Sequence, residues 1–318
     1  MTAAKPPQRR AGDIPRRILG RTGVEVTAMG LGGYHLGLIK GARLAVRIVQ
    51  QAVDEGITFL DNAWEYHDGR SEEIMGEALA GGRRDRVFLM TKVCTHGRDR
   101  ATAMRQLEQS LRRLRTDHLD LWQIHEVVYE NDPELHFAPG GVVEALEQAK
   151  RQGKVRFVGF TGHKDPSIHL KMLARDFPFD TCQMPLNCFD ASFRSFEARV
   201  LPEVNRRGIA ALGMNSMCCE GAQVKKRAVT AEEALRYAMS LPVAVTITGI
   251  DSMKVLRQDL RIARSFVPMT REEMDALRKR SAPVAADGRF EIYKVTAAHE
   301  GAVGRKQHGF PTEKEVSA

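Results

Sequence analysis

The sequence has 318 residues, of which 43% are hydrophobic and 28% are charged, a composition typical of a globular protein with a large buried core. The formal net charge is +8, but residues 1–21 hold six basic and one acidic side chain and so account for five of those charges. A basic bias concentrated in one arm predicts a solvated tail and argues against a nucleic-acid-binding body, so no nucleic-acid partner is expected.

Eight short apolar segments recur along the chain, about 31 residues apart, which is the length of one βα unit. They predict strands at residues 28–33, 58–63, 87–93, 119–125, 155–162, 181–187, 209–215 and 244–250. Between them, apolar residues at helical spacing, such as Met104, Leu107 and Leu111, predict helices. The predicted helices cover residues 42–55, 71–80, 101–114, 140–152 and 252–263.

Two further elements flank these repeating units. Residues 16–26 predict a β-hairpin before the first strand, placed where it could close the N-terminal end of a barrel. Residues 270–280 begin with Thr270 followed three residues later by Glu273, the capping-box pattern of one more helix.

Eight consecutive βα units predict an α/β fold, namely a closed (β/α)8 TIM barrel with an N-terminal β-hairpin and an extra C-terminal helix. The predicted organisation is a flexible N-terminal arm at residues 1–12, a single barrel catalytic domain at 13–295, and a C-terminal tail at 296–318.

Four titratable side chains lie at or just after the ends of the second, third and fourth strands: Asp61, Tyr66, Lys92 and His125. In a parallel barrel these strand ends meet on one rim, which carries the active site. A lysine between an aspartate and a tyrosine favours the phenolate, so we expect Lys92 to lower the pKa of Tyr66 from about 10 and to make Tyr66 a general acid. Taken singly, Asp61 and His125 would more often have structural roles, and it is their joint placement that favours the catalytic interpretation.

The segments LDNAWEY (60–66), FLMTK (88–92) and LWQIH (121–125), in this order, resemble the catalytic elements of the aldo-keto reductase superfamily. The resemblance extends over about residues 15–290. It implies the reduction of a small carbonyl substrate, an aldehyde or a ketone, with NAD(P)H. It also implies that Tyr66 donates the proton, that Lys92 lowers the pKa of Tyr66 and pairs with Asp61, and that His125 positions the carbonyl group.

The same resemblance implies a set of cofactor-binding residues: Thr161, Gln183, Met214, Asn215, Gly249, Ser252, Lys254 and Arg257. Gln183 matches the family glutamine that holds the carboxamide of the nicotinamide. Asp251 and Val255 occupy positions where basic residues often grip the 2′-phosphate, and Lys254 and Arg257 are neighbouring cations that would compensate. The implied cofactor is a nicotinamide dinucleotide, with NADP(H) favoured over NAD(H).

One alternative stays open, a cofactor-binding regulatory subunit on the same barrel with little or no turnover. Gly162, where the family usually has asparagine, and the altered loop at residues 214–220 motivate it. A metal-dependent barrel hydrolase is disfavoured because no His-x-His sequence ends a strand. A Rossmann fold is rejected because the third glycine of residues 30–37 is misplaced and Asp61 follows too late.

The five cysteines are odd in number and contain no C-x-x-C pair, so the sequence predicts neither a disulfide framework nor a zinc site. Cys218 and Cys219 are expected to be free thiols near the site, because adjacent cysteines form only a strained disulfide. No apolar segment approaches the roughly 18 residues that a membrane span needs. We therefore predict a cytoplasmic protein without a bound metal and without a membrane partner; the sequence does not indicate an oligomeric state.

Overall fold

The computed structural model describes residues 12–94, 99–218 and 221–296. Nearly all of the predicted N-terminal arm and C-terminal tail, and also Cys219, therefore lie outside the described residues. The division of the chain into arm, barrel domain and tail stays a prediction.

Eight parallel strands close into a barrel in which each strand pairs with its neighbours in the sequence and the last pairs with the first. The strands are β3 Met29–Gly32, β4 Phe59–Asp61, β5 Phe88–Val93, β6 Leu119–Ile124, β7 Val155–Thr161, β8 Thr181–Pro185, β9 Ala210–Met214 and β10 Val245–Gly249. Each lies within one predicted segment, so all eight predicted strands and the TIM-barrel fold are confirmed. Two short antiparallel strands precede the barrel, β1 Arg16–Ile18 and β2 Glu25–Thr27.

The helices are α1 Tyr34–Leu38, α2 Ala42–Asp54, α3 Arg70–Ala78, α4 Arg100–Leu114, α5 Asp132–Phe137, α6 Val142–Arg151, α7 Pro166–Leu173, α8 Phe196–Arg199, α9 Leu201–Arg206, α10 Ala222–Lys225, α11 Ala231–Ser240, α12 Met253–Arg264, α13 Arg271–Ala285 and α14 Ile292–Val295. The five predicted barrel helices are α2, α3, α4, α6 and α12. The predicted capping box begins α13, where the side chains of Thr270 and Glu273 accept hydrogen bonds from each other's backbone N–H groups. No helix in the described part of the chain is both long enough and apolar enough to cross a membrane.

The hairpin closes the N-terminal end of the barrel. Leu19 and Val26 are buried in an apolar cluster with inward-facing residues of the strands, including Phe59, Met90 and Leu212. At Gly20 the two backbones come so close that a Cβ atom would lie 2.6 Å from the backbone nitrogen of Ala210, so only glycine fits there. The hairpin and these apolar side chains fill the barrel interior at this end.

Candidate active site

Lys92 lies at the centre of a buried group of polar side chains at the C-terminal end of the barrel. Its Nζ atom is 2.5 Å from Oδ1 of Asp61, donates to the carbonyl oxygen of Asn62 at 2.8 Å, and donates to the hydroxyl oxygen of Tyr66 at 3.3 Å. The side chain of Lys92 is 1% exposed. Asp61 ends β4 and Lys92 lies near the end of β5, so the parallel strands bring the two charges to one rim, with Tyr66 in the turn after β4.

His125 follows β6 and lies against the same tyrosine. Its backbone N–H donates to the carbonyl oxygen of Val93 at 3.0 Å, and its ring packs edge-on to the Tyr66 ring with 5.5 Å between the centroids. Burial lowers the pKa of His125 to about 3, so the imidazole is neutral at neutral pH. The structure therefore brings together all four side chains that the sequence indicates as catalytic.

The pKa of Tyr66 shifts opposite to the expected direction. Burial, and next the negative charge of Asp61, raise the pKa of this phenol well above its usual value. The expectation of a lowered pKa is wrong because burial, and next the charge of Asp61, outweigh the hydrogen bond from Lys92, whose Nζ atom lies closer to Asp61 than to Tyr66. Tyr66 is consequently a neutral phenol at neutral pH, and Lys92 donates a hydrogen bond to its oxygen.

A cavity of about 420 Å³ opens over these side chains at the C-terminal ends of the strands. Tyr66 and His125 form part of its wall, together with Tyr34 from α1 and Glu126 and His163 from the loops that follow β6 and β7. Its volume lies within the usual range of small-molecule sites, roughly 300–1,000 Å³. The catalytic candidates therefore face a space that a small ligand can occupy.

Three of the cofactor-binding candidates lie on neighbouring strands of the same cavity wall. The side chains of Thr161 and Gln183 both contact the sulfur of Met214, at 3.8 Å and 3.6 Å. The side-chain oxygen of Gln183 is buried and has no hydrogen-bond partner among the described residues. A buried acceptor without a donor costs roughly 1–3 kcal/mol, so this oxygen fits a ligand that brings an N–H group, as a carboxamide does.

The loop after β9 and the end of β10 complete that wall with two further candidates. Asn215 has a left-handed backbone, with φ of 52°, and lines the cavity. Gly249 also lines the cavity, where a Cβ atom would lie 2.1 Å from Nδ1 of His35. A side chain at position 249 would therefore displace the His35 ring, which itself lines the cavity.

The remaining cofactor-binding candidates, on α12 and just before it, are not among the residues that line the cavity. The residues of this region that line the cavity are Asp251, Val255 and Gln258. Ser252 caps α12, its hydroxyl oxygen accepting from the N–H of Val255 at 3.3 Å. Lys254 and Arg257 are exposed and are not among the lining residues, and Arg257 borders a separate depression with Gln51. The structure thus does not bring these two cations to the cavity.

Sequence reasoning missed several polar residues at the site. One of them is His163, which is 7% exposed and whose Nε2 lies 3.7 Å from Oε1 of Glu126. Its Nδ1 lies 3.3 Å from the backbone oxygen of Tyr293, which lies 130 residues further along the chain and also lines the cavity. No local pattern indicates that contact. Glu65 did have a signal, because it immediately precedes Tyr66.

Some of these groups could in principle hold a cation. Glu65, His125 and Glu126 place ligand-type atoms within 4.8 Å of one another. Cys94, Cys182, Cys188 and Cys218 are buried and carry reduced thiols. Burial raises the pKa of Cys188 to about 12, and burial also raises that of Cys182, which keeps both thiols protonated and makes them poor ligands.

Comparison with known proteins agrees with this geometry. The model of the aldo/keto reductase family matches residues 28–222, more than half of the chain. The chain belongs to the aldo/keto reductase family. Members of this family are oxidoreductases, and the matched range covers β3 to β9 and the four candidates Asp61, Tyr66, Lys92 and His125.

Individual relatives cover different shares of the chain. The aldo-keto reductase YhdN of Bacillus subtilis is 31% identical over 210 residues, which is 62% of this chain and 60% of that protein. An uncharacterised oxidoreductase of the same organism, YqkF, is 27% identical over 88% of this chain and 98% of its own length. The structure of an aldo/keto reductase from Klebsiella pneumoniae, in complex with NADP and acetate, is 25% identical and covers 83% of this chain and 95% of its own, with a TM-score of 0.68.

Proposed function

We propose that this protein is an NAD(P)H-dependent aldo-keto reductase that reduces an aldehyde or a ketone to an alcohol, with Tyr66 as the general acid. The observation that carries the proposal is the contact of one buried ammonium group, that of Lys92, with both Asp61 and Tyr66 at the wall of a cavity. Family membership supports the reaction class.

The chemistry divides between the ligand and the chain. When bound, reduced nicotinamide supplies the hydride that becomes the new C–H bond of the alcohol. The Tyr66 hydroxyl would give its proton to the carbonyl oxygen, so that one hydride and one proton complete the reduction. Lys92, already hydrogen-bonded to the phenol oxygen, stabilises the negative charge left there. His125, neutral at neutral pH, would donate a hydrogen bond that orients the carbonyl group.

The chain's own residues also support a dinucleotide in this cavity. The partnerless side-chain oxygen of Gln183 is placed to accept from a carboxamide, beside Thr161, Met214 and Asn215 in the same lining. We favour NADP(H) over NAD(H), as in the Klebsiella pneumoniae relative that was solved with NADP. Lys225 brings an ammonium group to the lining and is the phosphate-binding candidate there, since Lys254 and Arg257 are not at the cavity.

Two measurements on the purified protein test this proposal. Titration with NADPH and, separately, with NADH, followed by nucleotide fluorescence, should show saturable binding, with the lower Kd for NADPH. Oxidation of the bound nucleotide should then follow the addition of reactive aldehydes, ketones or quinones. Binding without turnover on any of these substrates would contradict the enzyme and would indicate a regulatory subunit instead.

A further inference from the structure

The chain turns sharply just after Tyr66, through three consecutive residues with left-handed backbones. Their φ angles are 53° at His67, 56° at Asp68 and 90° at Gly69. Glycine adopts this conformation freely, but for other residues it costs roughly 1–2 kcal/mol each. Two residues with side chains therefore hold a costly conformation next to the candidate general acid, and such a conformation persists only where surrounding contacts stabilise it.

The His67 side chain makes these contacts with α1. Its ring nitrogen Nε2 donates to the backbone oxygen of Tyr34, which can only accept, with 2.9 Å between the two atoms. The two rings also pack together, with 4.9 Å between their centroids. The imidazole lies so close to Gly37 that a Cβ atom there would be 2.1 Å from Cδ2 of His67. The histidine therefore fits against α1 at a position that only glycine leaves open.

Two side chains that follow the turn attach α1 further. Arg70 donates to the backbone oxygen of Gly37 and, at 2.6 Å, to that of Ile39. The hydroxyl group of Ser71 donates to the backbone oxygen of Gly33 at 2.6 Å. The last carbonyl groups of a helix have no partner within it, so donors from outside stabilise them. The turn after β4 and α1 are consequently joined along the whole length of this short helix.

The attachment of α1 reaches the candidate general acid through a ring contact. The Tyr34 ring packs edge-on against the Tyr66 ring, with 5.3 Å between the centroids. On its other contact, the Tyr66 hydroxyl oxygen lies 3.3 Å from Nζ of Lys92, at the long end of the range for a hydrogen bond. A small displacement of the Tyr66 ring would therefore break the contact with Lys92.

We propose that His67 is a positioning residue, which fixes α1 against the left-handed turn and so keeps the Tyr66 hydroxyl group at Lys92. His67 is not among the described residues that line the cavity, so it acts through Tyr34 and Tyr66, which are. Its effect on turnover rests on the proposed carbonyl reduction. The placement of the two tyrosine rings does not depend on that reaction.

A matched pair of variants tests the hydrogen bond, because glutamine and methionine have similar length and only glutamine can donate. We expect His67→Gln to keep kcat within a few-fold. We expect His67→Met to lower kcat by about tenfold to a hundredfold, since a misplacement of about 1 Å can cost that much. The control is Asp68→Met, which puts the same side chain at the neighbouring left-handed residue, where it is exposed, and should keep kcat within a few-fold.

A second variant displaces the imidazole without replacing it. Gly37→Ala adds the Cβ atom that would lie 2.1 Å from the ring of His67, at a helical position where alanine is intrinsically favoured over glycine. We expect a loss of kcat comparable to that in His67→Met, and little further loss in the double variant, because both substitutions disturb one contact. Thermal unfolding verifies folding, and Gly37→Ala decides the question if His67→Met does not fold.

A spectroscopic readout separates this inference from the proposed function. The chain has five tyrosines, so ring signals of carbon-13-labelled tyrosine can be assigned with Tyr34→Phe and Tyr66→Phe. Both signals should move in His67→Met and Gly37→Ala and should stay in place in His67→Gln and Asp68→Met.

A merely structural role of His67 predicts a different result. His67→Met would then lower thermal stability while kcat and the two tyrosine signals stay as in the wild type, and this outcome would overturn the proposal. Equal kcat in His67→Gln and His67→Met would also overturn it. If the wild type turns over no carbonyl compound, the proposed function fails, while the tyrosine signals still decide whether His67 positions Tyr66.

Discussion

Two buried lysines lie in different regions of this molecule and differ in whether their hydrogen-bond partners line the cavity. Lys92, at the strand ends, contacts Asp61 and Tyr66, whereas Lys294, on α14, contacts Asp190 at 2.6 Å and Glu291 at 3.0 Å. Both side chains are almost completely buried, at 1% and 0% exposed. Of these two lysines, Lys92 donates to side chains that line the cavity, whereas the partners of Lys294 are not among the lining residues, so a buried ion pair by itself does not mark an active site.

The region around Lys294 has a structural task. Its ammonium also donates to the backbone oxygen of Phe193 at 2.8 Å, so that two carboxylates and a carbonyl group satisfy it. These contacts hold α14 against the loop after β8, and the preceding residue, Tyr293, lines the cavity. Under the proposed function, Lys92 stabilises charge that changes during the reaction, whereas Lys294 stabilises charges that stay fixed.

We expect the largest effect on turnover from replacing Lys92. Lys92→Met should lower kcat for carbonyl reduction by about 10²–10⁴-fold, because Tyr66 then loses the donor to its oxygen. Steady-state kinetics with saturating NADPH measure this. NADPH binding by fluorescence is the control and should survive; kcat close to that of the wild type would show that the two lysines do not differ in function.

The matching substitution in the other region should affect folding instead. Lys294→Met leaves Asp190 and Glu291 buried without a cation, and breaking such a pair costs about 3–5 kcal/mol. Urea unfolding should show that loss, with turnover per folded molecule within a few-fold of the wild type. If Lys294→Met lost as much turnover as Lys92→Met at unchanged stability, the assignment of a structural role to Lys294 and a functional role to Lys92 would be contradicted.

A third prediction concerns pH and compares two buried histidines, His125 in the site and His169 on α7. Burial lowers the pKa of the first to about 3 and of the second to about 4, against 6.5 when unfolded. Below pH 6.5 the unfolded chain binds a proton that the folded chain excludes. Each histidine therefore stabilises the fold above pH 6.5 and loses that contribution as pH falls toward its folded pKa.

Variants isolate this effect from other titrating groups. Between about pH 6 and pH 4.5, stability of the wild type should fall faster than that of His169→Gln, by about 1.4 kcal/mol per pH unit. His125→Gln should show a similar difference in slope and should also lose turnover. Parallel curves for the wild type and His169→Gln would mean that His169 is protonated in the folded protein.

The smallest effect is expected far from both lysines, at the N-terminus of α13. Thr270→Ala removes the hydroxyl oxygen that accepts from the N–H of Glu273 at 3.2 Å, and loss of such a cap costs about 1 kcal/mol. Chemical unfolding should show this decrease while kcat and KM stay unchanged. A change in kcat would connect α13 to the site and weaken the comparison of the two regions.

Much of the fold was predictable because it depends on local patterns. The strands alternate with helices at regular spacing, and the capping box at Thr270 is a four-residue signal. The convergence of Asp61, Lys92 and His125 was predictable for a related reason, because a parallel barrel brings all strand ends to one rim. These inferences need only the order of the elements.

Properties that depend on how deeply a side chain is buried, or on contacts between segments far apart in the sequence, were not predictable. The direction of the Tyr66 pKa shift depends on burial and on which neighbour lies nearer to Lys92. The burial of His163 depends on Tyr293, far along the chain. Lys254 and Arg257 have the positive charge that a phosphate-binding residue needs, but on α12 they are not among the residues that line the cavity.

The most direct test of the central claim is hydride transfer in Tyr66→Phe, measured in a single turnover with NADPH prebound and an aldehyde added. This substitution removes only the hydroxyl group. The account predicts that the nucleotide binds with a Kd within a few-fold of the wild type and that its oxidation slows by about 10²–10⁴-fold. Oxidation at the wild-type rate would show that the proton comes from elsewhere and would contradict the role assigned to Tyr66.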